Sequence, residues 1–187
     1  MRDIWPVIRT RRLVLRLLQV EEAEKMLSFR LENRQHLTPW EPVRRVEFYT
    51  LNYWQLQLQV LRREYQHGHS LCFSLLTEDE SEVVGVCNFT NIVRGTFQSC
   101  HLGYAMSERY TGRGLMQEAL VPACQFVFES MGLHRIMANY MPKNKPSGKL
   151  LANIEFEIEG HARKFLLING VWEDHVLTSK INPKNLS

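Results

Sequence analysis

The stretch Arg109-Tyr110-Thr111-Gly112-Arg113-Gly114 separates a segment typical of a β-strand from a segment typical of a helix. The strand is predicted at residues 98–107. Apolar residues then recur every three or four positions over residues 114–131, which predicts a helix. A further strand is predicted at residues 134–141. Because strand, helix and strand follow one another, we expect these two strands to be parallel.

The segments before this unit predict two helices and an antiparallel meander. Alternation over residues 12–17 indicates an opening strand. Helical spacing indicates a helix at residues 20–33 and another at residues 51–65. The first is expected to bury one face, formed by Val20, Ala23, Leu27 and Leu31. The meander is expected to comprise residues 70–76, 83–90 and 98–107.

The segments after this unit predict a short helix and a hairpin, so the fold class is mixed α/β. Pro146 is suited to the first turn of a helix. Asn169-Gly170 is typical of a two-residue hairpin turn, which is expected to join strands at residues 160–168 and 174–180.

Composition favours one globular domain spanning residues 1–187, located in the cytoplasm. The 23 Lys and Arg residues nearly balance the 20 Asp and Glu residues, and the net charge of +3 gives no reason to expect DNA binding. No apolar run has the length of a signal peptide or a membrane span. The four cysteines form no C-x-x-C pair and are expected to be buried thiols. No metal site is expected, because His67-Gly68-His69 has no further ligands nearby.

Residues 109–114 have the composition of a diphosphate-binding loop. A glycine-containing loop that leads into a helix N-terminus offers several N–H donors and the positive end of the helix dipole. Gly112 and Gly114 would let the backbone approach a ligand, and Arg109 or Arg113 could add charge. Spacing alone leaves an ordinary turn as an equal alternative. A dinucleotide fingerprint is disfavoured, since Gln117 stands where its third glycine would be.

Arg109-x-x-Gly112-x-Gly114, followed by Asn144-x-x-Ser147 after the next strand, resembles the cofactor signature of the GNAT acetyltransferase superfamily. Longer segments resemble the bacterial ribosomal-protein-alanine N-acetyltransferases within it. These segments are residues 10–16, 39–44, 88–91, 93–95, 134–142 and 174–178.

The resemblance implies a twisted, mostly antiparallel sheet flanked by about four helices, in which the parallel strands at residues 98–107 and 134–141 splay apart. Acetyl-CoA would enter this opening as the acetyl donor, without a metal. The implied cofactor contacts are Leu102, Gly103, Tyr104, Ala105, Met106, Arg109, Thr111, Gly112, Arg113, Gly114, Leu115, Met116, Asn139, Asn144 and Ser147.

The resemblance also suggests catalytic and acceptor residues. Many members of the superfamily have a tyrosine general acid where this chain has Leu151. Ser147, one turn earlier, is therefore our candidate to protonate the thiolate, and Glu41 is our candidate to contact the incoming amine. Trp40 and Tyr104 are the further acceptor candidates. Ser147 and Asn144 could equally cap a helix, and Glu41 could be an exposed loop carboxylate.

One residue departs from the family pattern at the end of the last helix. Glu155 stands where relatives commonly have a glycine in the left-handed conformation, so we expect backbone strain of about 1 kcal/mol there.

The function implied is acetyl transfer to the N-terminal alanine of a small-subunit ribosomal protein, by direct attack of the α-amine on the thioester. Alternatives are a GNAT enzyme that acetylates a small amine, an antibiotic or a lysine, and a ribosome-assembly or RNA-contacting factor with this fold. The protein could be a monomer or a dimer.

Overall fold

A mixed eight-stranded sheet runs through residues 5–185, which are the residues that the computed structural model describes. Its spatial order is β1-β2-β3-β4-β5-β6-β8-β7, and every neighbouring pair is antiparallel except β5 and β6. The strands are β1 (Val7–Arg9), β2 (Leu13–Arg16), β3 (Leu71–Thr77), β4 (Val83–Val93), β5 (Ser99–Met106), β6 (Arg135–Tyr140), β7 (Glu157–Ile168) and β8 (Val171–Ile181).

Four helices of two or more turns and one single-turn helix flank this sheet in the described residues. They are α1 (Ala23–Glu32), α2 (Arg34–Leu37), α3 (Leu51–His67), α4 (Leu115–Glu129) and α5 (Lys145–Asn153). The predicted fold class, the meander of β3, β4 and β5, and the parallel pair around α4 are confirmed.

Three details of the predicted elements are wrong. The strand predicted to open the chain is β2, because β1 precedes it and pairs with it. β7 and β8 begin at Glu157 and Val171, three residues earlier than predicted, so the hairpin is longer. In β7 and β8, strand pairing extends beyond the residues whose polarity alternates. The alternation reveals only the part of a strand that is buried on one face, so the first residues of each strand are missed.

The sheet separates two apolar layers. One layer packs α4 and α5 against the face that carries Leu15, Phe73 and Phe89. The other packs α1 and α3 against the opposite face, which carries Val14 and Val86. Because successive strand residues alternate between faces, each central strand contributes to both layers.

The buried face of α1 differs from the predicted one. Leu31 has 49% of its surface exposed, whereas Met26, Phe29 and Arg30 are buried. Burial of the aromatic Phe29 rotates the helix, and this brings the charged Arg30 into the protein interior. By contrast, α3 buries Trp54, Leu58 and Tyr65 as its spacing predicts.

The cysteines are free thiols, and three of them lie in the α4 layer. Burial raises the pKa of Cys72 to about 11 and that of Cys100 and Cys124 to about 12. The thiols are therefore protonated near neutral pH and behave as small apolar groups. No helix within residues 5–185 is long and apolar enough to cross a membrane.

Glu155 has a left-handed backbone with φ of 65°, as the departure from the family pattern predicts. Its carboxylate is exposed and pairs with Lys180 at 3.0 Å. The same ammonium group donates to the carbonyl of Ile154 at 2.9 Å. An exposed ion pair contributes little, so the strain at this position is not offset by the pair.

We expect Glu155→Gly to raise the free energy of unfolding by about 0.5–1 kcal/mol, because glycine adopts positive φ without strain. Urea denaturation of both proteins measures the change. The matched control is Glu157→Gly, at an exposed and extended position of β7, which should lose roughly the same amount. Destabilisation by both substitutions would contradict the strain argument.

Candidate active site

A glycine loop leads from β5 into the N-terminus of α4. After a 3₁₀ turn at Glu108–Tyr110, Gly112 and Gly114 adopt positive φ of 71° and 73°. Gly114 is the N-cap of α4, and the first helical hydrogen bond runs from the N–H of Glu118 to its carbonyl at 3.0 Å. The N–H groups of the first helical turn before Glu118 therefore have no partner within the helix. This geometry suits an anion at the loop.

The arginines of this loop differ in their contacts. Arg109 forms a short salt bridge with Glu82 and lies 3.5 Å from Glu32. Among residues 5–185, Arg113 has no carboxylate within salt-bridge distance, and its guanidinium lies 5.5 Å from the ring centroid of Tyr110. Arg113 can therefore contact an anion directly, whereas Arg109 would first have to leave Glu82.

The parallel pairing of β5 and β6 ends early. It comprises only Ser99 with Arg135, Cys100 with Ile136, and His101 with Met137. Beyond this point β5 remains paired with β4, and β6 remains paired with β8. The two strands therefore diverge, and their facing backbone groups are left without partners from each other. A narrow ligand can enter this opening and receive main-chain hydrogen bonds.

Two hydroxyl groups meet beside this opening. The phenol of Tyr104, on β5, lies 2.7 Å from Oγ of Ser147, in the first turn of α5. Asn144 caps α5 by accepting the N–H of Ser147 at 3.2 Å. Burial raises the pKa of Tyr104 to about 12, so the phenol is protonated near neutral pH and can donate to Ser147. The Ser147 hydroxyl can then donate its own proton onward.

Gly148 allows α5 to pack closely against β6. A Cβ atom at this position would lie 2.7 Å from Cε2 of Tyr140 and 3.0 Å from its hydroxyl. The glycine therefore brings the Tyr140 ring against the first turn of α5, next to Ser147. The sequence pattern does not reveal this packing, because Gly148 and Tyr140 lie on different elements.

Residues 12–157 match the acetyltransferase (GNAT) domain family. The chain belongs to the GNAT acetyltransferase family. It is 45% identical over 176 residues to the [ribosomal protein uS5]-alanine N-acetyltransferase of Escherichia coli, a match that covers 94% of this chain and 91% of that protein.

Solved structures of relatives have the same fold. The ribosomal-protein-S5-alanine acetyltransferase of Vibrio fischeri superposes with a TM-score of 0.92 and 37% identity, covering 95% of this chain and 97% of the other. Mycobacterium smegmatis RimJ, in complex with CoA-disulfide, superposes with a TM-score of 0.88 and 29% identity, covering 97% and 89%. The protein is thus an acetyl-CoA-dependent N-acetyltransferase of the GNAT family.

The residues present fit the donor of a GNAT enzyme. No other atom lies within 4 Å of the position where a Cβ would stand at Gly112, so the loop is open to a diphosphate. Leu102–Met106 and Asn139 lie on the two strands beyond the end of their pairing, and the first N–H groups of α4 have no partner within the helix. When bound, acetyl-CoA supplies the activated acetyl group. No cluster of metal-binding side chains occurs in the described part of the chain.

Leu151 is a buried apolar residue of the core. Only 1% of its surface is exposed, and it packs in the α4 layer. Leucine has no ionisable group and cannot donate a proton, whereas Ser147, in the first turn of the same helix, contacts the Tyr104 hydroxyl. The pairing of the two was not predicted, although each was a candidate singly.

The three acceptor candidates are separated: Glu41 and Trp40 lie beside α1, in the other layer of the fold, whereas Tyr104 lies on the face of α5. The carboxylate of Glu41 accepts from Arg30 at 2.9 Å and from Arg44 at 3.2 Å. Its carbonyl accepts the N–H of Asn169 at the tip of the β7–β8 hairpin, at 2.9 Å. Trp40 has 37% of its surface exposed. Glu41 thus has both carboxylate oxygens engaged, and no contact joins it to Ser147.

Gly112→Ala should raise the KM for acetyl-CoA roughly tenfold, because a left-handed alanine costs about 1–2 kcal/mol and would shift the loop N–H groups. Initial rates at varied acetyl-CoA measure it. Gly95→Ala is the matched control, since Gly95 has φ of 74° and equally open surroundings in the turn before β5. An equal KM in both variants would exclude the loop from donor binding.

Ser147→Ala should lower kcat by about 100-fold while KM for acetyl-CoA changes little, because the hydroxyl would act only as the thiolate leaves. Helix α5 should persist, since Asn144 caps it through the backbone N–H of residue 147. Ser147→Thr, which keeps a hydroxyl, should recover most of the rate. Wild-type kcat in the alanine variant would remove Ser147 from the chemistry.

Proposed function

We propose that this enzyme acetylates the N-terminal α-amine of a small-subunit ribosomal protein whose first residue is alanine. The observation that carries the proposal is the 45% identity, over 94% of the chain, to the E. coli enzyme named for this reaction on uS5. The reaction takes place in the cytoplasm, where ribosomal proteins are made. One domain spanning residues 1–187 performs the reaction.

The chemistry of the acceptor favours an α-amine. Its pKa is near 8, so about a tenth of it is neutral at pH 7, whereas a lysine amine has a pKa near 10.4. A neutral amine can attack the thioester directly and needs little help from a base. Among the described residues, both oxygens of Glu41 are engaged by arginines, which agrees with a site that lacks a strong, free carboxylate base.

Each group of residues has a distinct role in this proposal. The Gly112–Gly114 loop and the N-terminus of α4 hold the diphosphate. Tyr104 donates to Ser147, and Ser147 protonates the departing thiolate. Glu41 and Trp40 shape the loop that receives the acceptor chain, with Glu41 acting through its ion pairs to Arg30 and Arg44.

An RNA-contacting role has less support than acetyl transfer. Arg62 and Arg63 form a basic pair on α3, but the guanidinium of Arg62 lies 3.8 Å from the ring centroid of Trp5 and donates to the carbonyl of Leu18 at 3.3 Å. These contacts engage Arg62 within the chain itself.

Short alanine-first peptides that also contain an internal lysine provide the test. We expect acetyl transfer when the α-amine is free and none when it is formylated, with the acetyl group located by tandem mass spectrometry. Release of CoA gives the rate. Faster transfer to the lysine of the blocked peptide, or to a polyamine or an aminoglycoside, would replace the proposed acceptor with one of the alternatives.

A further inference from the structure

A cavity of about 210 Å³ lies between the sheet and the helices α1 and α3. Its floor carries the polar side chains of Ser74 on β3 and of Asn88 and Thr90 on β4, beside Cys72 and the apolar Val86. Polar side chains are uncommon on a sheet surface that helices cover. A polar floor under helices indicates a space that accommodates a polar group.

Three arginines line this cavity, and none of its lining residues is acidic. They are Arg30, Arg44 and Arg62. Glu41 holds Arg30 and Arg44 but is not one of the lining residues. The lining itself is therefore cationic, while Glu41 pairs with two of the arginines from outside it and Glu21 and Glu22 lie near Arg62.

Arg30 has donor capacity that the protein does not use. It has only 7% of its surface exposed, and its Nε–H has no hydrogen-bond partner among residues 5–185. Its guanidinium lies 5.1–5.6 Å from the ring centroids of Phe29, Phe48 and Trp54. A buried N–H group of a cation that has no acceptor costs free energy, and an anion bound in the cavity could supply the missing acceptor.

The floor of the cavity lies on the same face of the sheet as Gly103 of β5, a strand that borders the central opening. Cys72 pairs with Asn88, and Asn88 pairs with Gly103 on β5, so the three residues share one face of the sheet. No other atom lies within 4 Å of the Cβ position at Gly103. Its neighbour Tyr104 points to the opposite face, toward Ser147. An acceptor chain can thus cross Gly103 on one face while the donor lies on the other.

Distances along this face limit which acceptor residue reaches the cavity. Strands lie about 4.8 Å apart, so β3 is roughly 10 Å from β5, and an extended chain advances about 3.3 Å per residue. A side chain from the second to fourth acceptor residue would therefore lie over the polar floor.

We propose that the cavity binds an acidic side chain at the second to fourth position of the acceptor N-terminus, with Arg44 and Arg30 as its cationic partners. This proposal rests on the proposed function, since it requires a peptide acceptor. It makes the arginine cavity a specificity site that selects among alanine-first sequences.

Alanine-first peptides with one glutamate at position 2, 3 or 4, and their glutamine counterparts, test the proposal. At saturating acetyl-CoA, we expect one glutamate peptide to exceed its glutamine counterpart roughly tenfold in kcat/KM, mainly through KM, as one charge-assisted hydrogen bond implies. Arg44→Gln should abolish this preference. Arg45→Gln, an exposed neighbour that does not line the cavity, should keep it.

Each other outcome overturns the proposal. Equal rates for glutamate and glutamine peptides, or the same preference in Arg44→Gln and Arg45→Gln, exclude the cavity as an acidic-residue site while leaving the proposed function intact. Competition by AMP that depends on Arg44, without a glutamate preference, assigns the cavity to a nucleotide phosphate instead. Absence of transfer to every peptide with a free α-amine overturns the proposed function, and the cavity proposal with it.

Discussion

The early end of the pairing between β5 and β6 is the constraint on which the site depends. After three residue pairs the strands diverge, yet each keeps its other neighbour along its whole length. The sheet can therefore separate between β5 and β6 while the pairings of β5 with β4 and of β6 with β8 are retained. Beyond His101 and Met137, the facing backbone groups of β5 and β6 do not pair with each other, and side chains on both faces of the sheet border the opening. The glycine loop follows β5 after one 3₁₀ turn, so the end of this strand determines where the loop begins.

In the proposed arrangement, the alternation of side chains along β5 separates the two substrates. Tyr104 lies with α4 and α5, where it contacts Ser147, whereas Gly103 lies on the face of α1 and α3. A residue with a side chain at position 103 would narrow the acceptor face, and a slip of one residue in register would exchange the two faces. The long antiparallel pairing of β4 and β5 prevents such a slip. Strand register thus fixes which face of the sheet each side chain of β5 lies on.

Much of the fold was predictable from the sequence, because its helices and central strands follow simple apolar periods. The glycine loop, the parallel pair and the left-handed Glu155 also followed from sequence position and family resemblance. Burial of Arg30 was not predictable, since helical spacing assigns a charged residue to the exposed face. Its position is explained by three aromatic neighbours, two of which come from other elements, and by its ion pair with Glu41. The Tyr104–Ser147 contact joins residues 43 positions apart, and no local pattern contains such information.

The hydrogen bond from Asn169 to the carbonyl of Glu41 connects two parts of the chain that are remote in sequence. Asn169 is at the tip of a hairpin whose strand β8 is paired with β6 from Ile181 to Val176. The loop around Glu41 is therefore connected through the hairpin to β6, the strand that borders the central opening. Insertions in that loop or in the hairpin would break this connection unless the other segment changed length as well. The two segments form one unit for protein engineering, and an exchange of acceptor loops between relatives requires the matching hairpin to be transferred with the loop.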